Sequence, residues 1–263
     1  MRKKKAKNLT ARPKQSGKRL ALLDELRGLC ILAMVVFHAF YLLGRFDVPA
    51  GKALYDFFTP AEPVFAAIFI LISGICARFS AHLLKRGLLL ALCAALISLA
   101  TIAWLPGLRM QVWFGILHLL GCSKLLYCAG RKLFDKVPAA VGLLLSLALF
   151  TLTAPVADGY FGFMSLRWNL PQALYSSNRL LFLGFHLPPP GFFSWDYFPL
   201  LPYFFLFLSA VYIGRCAASE FPAFCYKRHF APFAWLGKHS LLVYILHIPV
   251  LYGIFYLFCI FLL

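Results

Sequence analysis

Long apolar runs alternate with short polar or basic connections along the whole chain. Seven of these runs are candidate membrane spans, because a helix needs about 20 predominantly apolar residues to cross the hydrocarbon core of a bilayer. They lie near residues 28–43, 63–80, 87–104, 112–129, 137–154, 197–215 and 240–262. Backbone polar groups must be satisfied internally within lipid, so each span is predicted to be an α-helix. The predicted fold class is an all-α polytopic transmembrane bundle of about seven spans.

The first run has an alternative interpretation as the apolar core of a signal peptide. Residues 28–43 are short for a membrane span unless residues 20–26 extend them. No small-residue cleavage site follows in the sequence FHAFYLLGRF. We therefore expect an uncleaved first helix.

Composition agrees with the hydrophobic pattern. The 263-residue chain is 62% hydrophobic and only 13% charged. An ordinary soluble domain is about half apolar and about a quarter charged. This composition excludes an ordinary water-soluble domain.

The distribution of positive charge predicts an orientation in the membrane. With the N-terminus in the cytoplasm, 21 of the 26 Lys and Arg residues lie on the inner side. Such an excess on cytoplasmic connections is typical of multi-pass membrane proteins. We predict a multi-pass protein of the cell membrane with a cytoplasmic N-terminus and an extracytoplasmic C-terminus.

The basic N-terminal segment is predicted to be a tail outside the membrane domain. Residues 1–19 are rich in Lys and Arg and contain no aromatic residue, which predicts a disordered cytoplasmic tail. Residues 20–263 form the predicted transmembrane domain. A basic tail next to a membrane is expected to contact anionic lipid headgroups, and this explains its charge without a nucleic-acid partner.

Residues 155–196 form a long outer connection between two predicted spans. The segment is rich in aromatic residues, Pro and Gly, so it is too apolar for a solvated linker. Long connections in compact domains are often functional. We expect it to lie against the membrane face as a lid or substrate platform, with a short interfacial helix near 171–184.

Motifs for other chemistries are absent from the sequence. The eight cysteines contain no C-x-x-C pair and lie mostly inside spans, where cysteine behaves as a small hydrophobic residue. Neither a disulfide framework nor a metal site is predicted. There is also no phosphate-binding glycine loop, G-x-S-x-G motif or H-E-x-x-H motif.

Ionisable residues at membrane depth are the remaining functional candidates, because they are costly to place in lipid. Arg27 lies at the inner end of the first span, and His38 lies roughly 16 Å further along the helix, in the outer half. Glu62, His118 and Asp196 come from three other segments near the same outer level. Four titratable groups are thus predicted to converge above a cytoplasmic arginine.

This arrangement is suited to a group transfer across the membrane. An anionic donor would place its head at Arg27 and extend an acyl arm toward His38. Neutral imidazole can remove a proton from an attacking hydroxyl or amine. Glu62 or Asp196 would fix the His38 tautomer, as the acid of a catalytic triad does. His118 or unwound backbone would stabilise the oxyanion.

Structural alternatives exist for most of these residues. Asp24 is assigned to the donor site with Arg27, but the two lie at i, i+3 and would also form a simple ion pair. Glu62 is suited to a helix N-terminus, where negative charge is favourable. His118 and His247 are as consistent with hydrogen bonds between helices as with a functional role.

Five stretches of the chain, in order, resemble one family. The sequence LDELRGLCILAMVVFHAF resembles the first helix of the heparan-alpha-glucosaminide N-acetyltransferase catalytic-domain family of membrane acyltransferases. AEPVFAAIFILISGIC, WFGILHLLGCSKLL, FSWDYFPLLPY and LGKHSLLVYILHIPV are similar to its bacterial members, so the resemblance covers about residues 20–255. The spacing of Arg27 and His38 is also similar to that of the acyltransferase-three family.

The resemblance implies roles for individual residues. It implies that Arg27 helps to hold acyl-CoA and that His38 serves the transfer. Glu62 stands where the family often has an acidic residue opening its second helix. Asp196 matches the aspartate of the D-Y-F-P-L-L-P motif, and His247 matches the histidine of Y-x-x-H-x-P.

Taken together, the sequence predicts a transmembrane acyltransferase. It would transfer an acyl group, expected to be acetyl, from cytoplasmic acyl-CoA to an extracytoplasmic glycan amine or hydroxyl. Acyl-CoA is a co-substrate, and no metal is expected. A small transporter and a non-catalytic partner of an envelope complex are the alternatives. The oligomeric state, with a homodimer among the options, is left open, as are the acceptor and a covalent acyl-histidine step.

Overall fold

In a computed structural model, residues 19–104, 110–217 and 221–262 are described. The predicted disordered tail at 1–19 therefore lies outside the described residues, except for Arg19. The helices within the described ranges are α1 (Ala21–Arg45), α2 (Pro49–Phe58), α3 (Glu62–Phe79), α4 (Leu83–Leu99), α5 (Ile116–Phe134), α6 (Ala139–Thr153), α7 (Leu200–Cys216), α8 (Ala231–Lys238) and α9 (Ser240–Leu262).

The predicted all-α polytopic membrane fold is confirmed. Helices α1, α3, α4, α5, α6, α7 and α9 lie at the seven predicted positions. Within the described ranges, five helical stretches are long and apolar enough to cross a membrane, namely Ala21–Arg45, Pro49–Phe79, Leu83–Ala103, Ala139–Asp158 and Ser240–Phe258. Helix α7 is apolar but shorter. Helix α5 is less apolar, because it carries Lys124, Arg131 and Lys132.

Two helices were not predicted as separate elements. Helix α2 follows α1 after three residues and continues into α3 through a single 3-10 turn, Thr59–Ala61. Pro49 at its start favours helix initiation, because proline lacks the N–H that would be unpaired there. Helix α8 is only eight residues long and packs across α1.

The outer connection differs from the predicted short helix near 171–184. The structure has two 3-10 turns there, Gln172–Tyr175 and Asn178–Leu183. They follow an antiparallel hairpin of β1 (Tyr160–Phe163) and β2 (Leu166–Asn169), in which Tyr160 pairs with Asn169. Ser177, which lies between the two turns, has an extended backbone, so a continuous helix does not form.

Helix α7 lies at the centre of the core. Phe207 and Val211 of α7 are fully buried and belong to one cluster with Ile70, Leu119 and Tyr127. A Cβ atom on Gly74 of α3 would lie 2.3 Å from the backbone oxygen of Phe207. Helices α3 and α7 therefore approach each other at backbone distance, as small residues allow in membrane bundles.

Helix α8 is held against the N-terminal half of α1 by an equally close crossing. A Cβ atom on Gly237 would lie 1.8 Å from the Asp24 backbone oxygen, and one on Gly28 would lie 1.9 Å from the Phe233 oxygen. The Glu25 carboxylate accepts hydrogen bonds from the backbone N–H groups of His229 and Phe230, at 2.7 and 3.1 Å. The start of α8 is thus fixed next to the Asp24–Arg27 segment.

We expect the substitution Gly237→Ala to destabilise the protein by about 3 kcal/mol, because the added methyl group meets backbone atoms that cannot move aside. The measurement is thermal unfolding of the detergent-solubilised protein. Gly253→Ala is the matched control, since no atom lies within 4 Å of a Cβ atom at that position in α9. Equal melting temperatures for the two variants would contradict the close crossing.

Candidate active site

A cavity of about 530 Å³ lies between α1, α2, α3, the segment before α7 and the first turns of α9. Its volume is in the range of small-molecule binding sites. Three of the four predicted catalytic residues, His38, Glu62 and Asp196, line it together. Along α1 it extends from Phe40 to Cys30, which is one helical turn from Arg27. The cavity therefore runs from the predicted catalytic level toward the predicted donor site.

His38 is held by two aromatic neighbours from distant parts of the chain. Its Nδ1 atom lies 3.0 Å from Nε2 of His247 on α9 and 3.1 Å from the Met34 sulfur. The ring centroid of Trp195 lies 4.5 Å from that of His38. The imidazole is thus fixed in position while facing the cavity.

The contacts of His247 determine which nitrogen of His38 carries a proton. Nδ1 of His247 lies 2.6 Å from the backbone oxygen of Tyr244 and must donate to it, because a carbonyl oxygen only accepts. In the neutral ring, Nε2 of His247 is then an acceptor, so Nδ1–H of His38 donates to it. This leaves Nε2 of neutral His38 with a free lone pair. An imidazole in this form can act as a general base.

Asp196 lies beside this pair but contacts it only through Tyr244. Its Oδ2 atom accepts hydrogen bonds from the Tyr244 hydroxyl at 2.6 Å and from the backbone N–H of Ile116 at 3.1 Å. Enclosure by the cavity walls raises the pKa of Asp196, while these two hydrogen bonds act in the opposite direction. The hydrogen-bond partner of His38 Nδ1 is therefore His247. The sequence had predicted Glu62 or Asp196 in this position.

The segment that carries Trp195 and Asp196 is fixed by extended pairing with the strand-like residues before α5. The N–H of Trp195 donates to Gln111 O and that of Phe198 donates to Phe114 O, both at 2.9 Å. The Ser194 hydroxyl accepts a hydrogen bond from the backbone N–H of Trp113. This pairing positions the Trp195 ring over His38 and the Asp196 carboxylate at the N-terminus of α5.

Glu62 begins α3 and is the second carboxylate in the cavity. Its side chain has no hydrogen-bond or ion-pair partner among the residues that the structure describes, in contrast to Asp196. A carboxylate in that state is available to a ligand. The position of Glu62 at a helix start also agrees with the alternative of a favourable N-terminal charge.

His118 is not brought to the cavity with the others. Its Nδ1 atom accepts the backbone N–H of Gly115 at 3.2 Å, so Nε2 carries the proton and faces Ser98 Oγ, also at 3.2 Å. The Ser98 hydroxyl donates in turn to Val112 O at 2.6 Å. Both ring nitrogens are used to hold the start of α5, and a catalytic role for His118 stays a prediction.

Arg27 and Asp24 lie beyond the end of the cavity that is nearest to the start of α1. Arg27 Nη2 donates to the Cys76 sulfur at 3.2 Å, and Nη1 lies 3.6 Å from an Asp24 oxygen. Asp24 also accepts from Nε of Arg19 at 2.5 Å. The i, i+3 ion pair considered from the sequence is present. A role of Arg27 and Asp24 in donor binding stays a prediction.

Three residues in the site were not predicted from the sequence as catalytic: His247, Tyr244 and Trp195. The Y-x-x-H spacing places Tyr244 and His247 on one face of α9, since residues three apart are neighbours on a helix. That spacing predicts that the two side chains share one face of α9, but it does not predict that this face packs against His38 of α1. Nothing in the sequence indicated that Trp195 packs on His38.

Comparison with protein-family models matches residues 19–249 to the model described as "Heparan-alpha-glucosaminide N-acetyltransferase, catalytic". The matched range covers most of the chain and includes His38, Glu62, Asp196 and His247. Searches of curated proteins and of solved structures found no match to the chain.

Proposed function

The chain belongs to the heparan-alpha-glucosaminide N-acetyltransferase catalytic family, and from this premise we propose that it is a membrane acetyltransferase that uses cytoplasmic acetyl-CoA. Its acceptor is an amine or hydroxyl group of an extracytoplasmic glycan. The observation that carries the proposal is the His38 imidazole, which faces a cavity of about 530 Å³ with its Nδ1–H bound to His247 and its Nε2 unprotonated.

His38 acts as the general base in this proposal. Nε2 takes a proton from the acceptor amine or hydroxyl as that group attacks the thioester carbonyl. A new C–N or C–O bond forms, the C–S bond breaks, and the proton passes from the imidazolium to the departing thiolate. The His247 acceptor keeps the Nδ1–H in place through both proton transfers. A covalent acyl-histidine step would use the same lone pair and is the alternative.

The two carboxylates are assigned different tasks. Glu62, whose side chain is without a partner among the described residues, binds the amine or hydroxyl of the acceptor. Asp196 is already bound to Tyr244 and Ile116 and acts as a positioning residue, because it holds the α9 turn that carries His247. A general base contributes about 10²–10⁴-fold to a rate, so the positioning of His38 is the most sensitive element of the site.

The donor is proposed to enter from the side of Arg27. Arg27 lies eleven residues before His38 on α1, which corresponds to roughly 16 Å along the helix. The cavity begins one turn beyond Arg27, at Cys30, and ends at the level of His38. A thin acyl-pantetheine arm would follow this path, with its charged nucleotide remaining near Arg27.

The distribution of charged side chains supports the proposed membrane orientation. Asp135, at the end of α5, lies 3.4 Å from Arg78 of α3 and 3.6 Å from Arg131. Arg215 of α7 donates to the backbone oxygens of Phe134 and Val137. These cations lie at the ends of α3, α5 and α7, whereas Glu62 lies at the opposite end of α3. Under the positive-inside rule, this distribution supports a cytoplasmic N-terminus for α1.

A transporter remains the main alternative from another class. In that case the buried histidines would relay protons across the membrane. The hydrogen-bond chain from His38 through His247 ends at the Tyr244 carbonyl, which has no proton to pass on. This observation favours catalysis over relay.

The function is tested with inverted membrane vesicles containing the protein. Radiolabelled acetyl-CoA is added outside and a panel of amino sugars and neutral saccharides is enclosed inside. We expect label in the enclosed acceptor and release of free CoA outside in equal amounts. CoA release without labelled acceptor would indicate hydrolysis, and uptake of intact label into acceptor-free vesicles would indicate transport; each result contradicts the proposal.

Replacing Arg27 with alanine is expected to raise the KM for acetyl-CoA by about tenfold or more with a smaller change in kcat, because a charge-assisted contact to a phosphate is lost. The comparison variant is Arg45→Ala, at the opposite end of α1. Steady-state kinetics in the vesicle assay measure both. An unchanged KM for Arg27→Ala would remove this residue from the donor site.

A further inference from the structure

Lys124 is a buried cation that the proposed mechanism does not use. It lies in the middle of α5 with only 8% of its surface exposed. Its ammonium group donates a hydrogen bond to the Ser73 hydroxyl of α3 and lies 5.7 Å from the centroid of the Phe207 ring. Among the residues that the structure describes, no carboxylate lies within ion-pair distance of it. Burying an unpaired charge is costly, so its presence calls for a reason.

The side chains of Lys124, from α5, and Arg27, from α1, contact neighbouring residues on the same face of α3. Lys124 contacts Ser73, and Arg27 contacts Cys76, three residues further along the helix. This separation corresponds to about 4.5 Å along the axis. Both cations are therefore held against the same short stretch of α3.

Among the residues that the structure describes, the carboxylates at this end of the molecule do not balance these charges. Asp24 is shared between Arg19 and Arg27. The Glu25 carboxylate accepts hydrogen bonds from backbone N–H groups at the start of α8. Asp135 forms ion pairs with Arg78 and Arg131. An excess of positive charge is therefore left between α1, α3 and α5, next to the inner end of the cavity.

We propose that Lys124 and Arg27 together form a binding site for two adjacent phosphate groups, such as the pyrophosphate of a nucleotide carrier. Two cations that contact α3 about one helical turn apart are suited to a ligand with two linked anions. A buried cation gains most from such a partner because its surroundings screen it poorly. The proposal rests on the proposed function, in which the ligand is the diphosphate of acyl-CoA. An anionic lipid headgroup carries the same phosphate chemistry and is the other source to be tested.

The position of this site explains how a carrier would be oriented. Ser73 lies one helical turn from Phe69, and Arg27 lies one turn from Cys30; both Phe69 and Cys30 line the inner part of the cavity. A diphosphate held at Lys124 and Arg27 would therefore place its attached arm at the inner opening. The acyl group at the end of that arm would then point toward His38.

The test measures binding to protein in nanodiscs by titration calorimetry. The probes are CoA, inorganic pyrophosphate and S-acetyl-pantetheine, which lacks the diphosphate. For the variant Lys124→Met we expect about tenfold or greater weakening of CoA and pyrophosphate binding, and no change for S-acetyl-pantetheine. The matched control is Lys85→Met, which removes an exposed cation of α4.

Thermal unfolding separates binding from a purely structural role of Lys124. Without ligand, Lys124→Met should unfold at a higher temperature than the wild type, because an unpaired buried charge is removed. It should also lose the stabilisation that pyrophosphate gives the wild type. Lys124→Gln, which retains a hydrogen-bond donor for Ser73, serves as the second variant if Lys124→Met does not fold.

The outcomes distinguish this site from the proposed function. If the wild type transfers acetyl groups and Lys124→Met binds CoA as tightly as the wild type, the diphosphate site is wrong and the function stands. If the wild type binds pyrophosphate through Lys124 but never CoA, the acetyl-CoA function fails and the anion site stands. If phosphatidylglycerol nanodiscs alone abolish the dependence on Lys124, the occupant is a lipid headgroup and the carrier assignment is overturned.

Discussion

The variant His38→Ala is expected to transfer acetyl groups about a thousandfold more slowly than the wild type while binding acetyl-CoA with similar affinity. The imidazole lines the cavity, and its unprotonated Nε2 is the base that the proposed transfer requires. General bases typically contribute about 10²–10⁴-fold to a rate. In the proposed binding mode the arm of the donor would contact the apolar walls and not His38, so the loss should appear in kcat.

Two comparisons make this result specific. His239→Ala replaces an exposed histidine that lies outside the cavity, and we expect it to retain wild-type activity. Calorimetric binding of acetyl-CoA to His38→Ala checks that the cavity is intact. A rate within tenfold of the wild type for His38→Ala would show that His38 is not the base.

The second large effect is expected at His247, which acts on the reaction only through His38. Replacing it with leucine removes the acceptor of the His38 Nδ1–H, so the proton is free to move to Nε2 and block the base. We expect kcat to fall about a hundredfold with little change in the KM for acetyl-CoA. Loss of the correct tautomer lowers serine protease activity by about 10⁴-fold, which is an upper limit for this neutral pair.

His247→Gln is the matched variant, because glutamine offers a carbonyl oxygen to the Nδ1–H and an amide N–H to the Tyr244 oxygen. We expect it to recover activity to within about tenfold of the wild type. The same vesicle assay measures kcat and KM for both variants. If leucine and glutamine lower kcat equally, His247 contributes packing alone and the tautomer argument fails.

The membrane fold was predictable because hydropathy is a local property. A run of about 20 apolar residues has few stable solutions in lipid, so helices α1, α3, α4, α5, α6, α7 and α9 appear where the pattern predicts them. The separation of Arg27 and His38 was equally local. Both residues lie on one helix, and the rise per residue determines the distance along its axis.

The elements that the pattern missed depend on contacts between segments. Helix α8 is too short to be recognised from hydrophobic periodicity, and its position depends on Gly28 and Gly237 meeting backbone atoms across the interface. In the outer connection, the hairpin that pairs Tyr160 with Asn169 was also not predicted. Neither contact leaves a signal in a window of neighbouring residues.

The amino-acid sequence alone determined that this is a polytopic helical membrane protein. It also determined that Arg27 and His38 lie at different depths along its first helix. Only the tertiary structure decided that His38 meets His247, that Asp196 binds Tyr244 and that His118 holds α5 instead of facing the cavity. The physical reason is the rotation of each helix about its axis. Hydropathy sets how deeply a helix lies in the membrane, but close packing against its neighbours sets which side chains face one another.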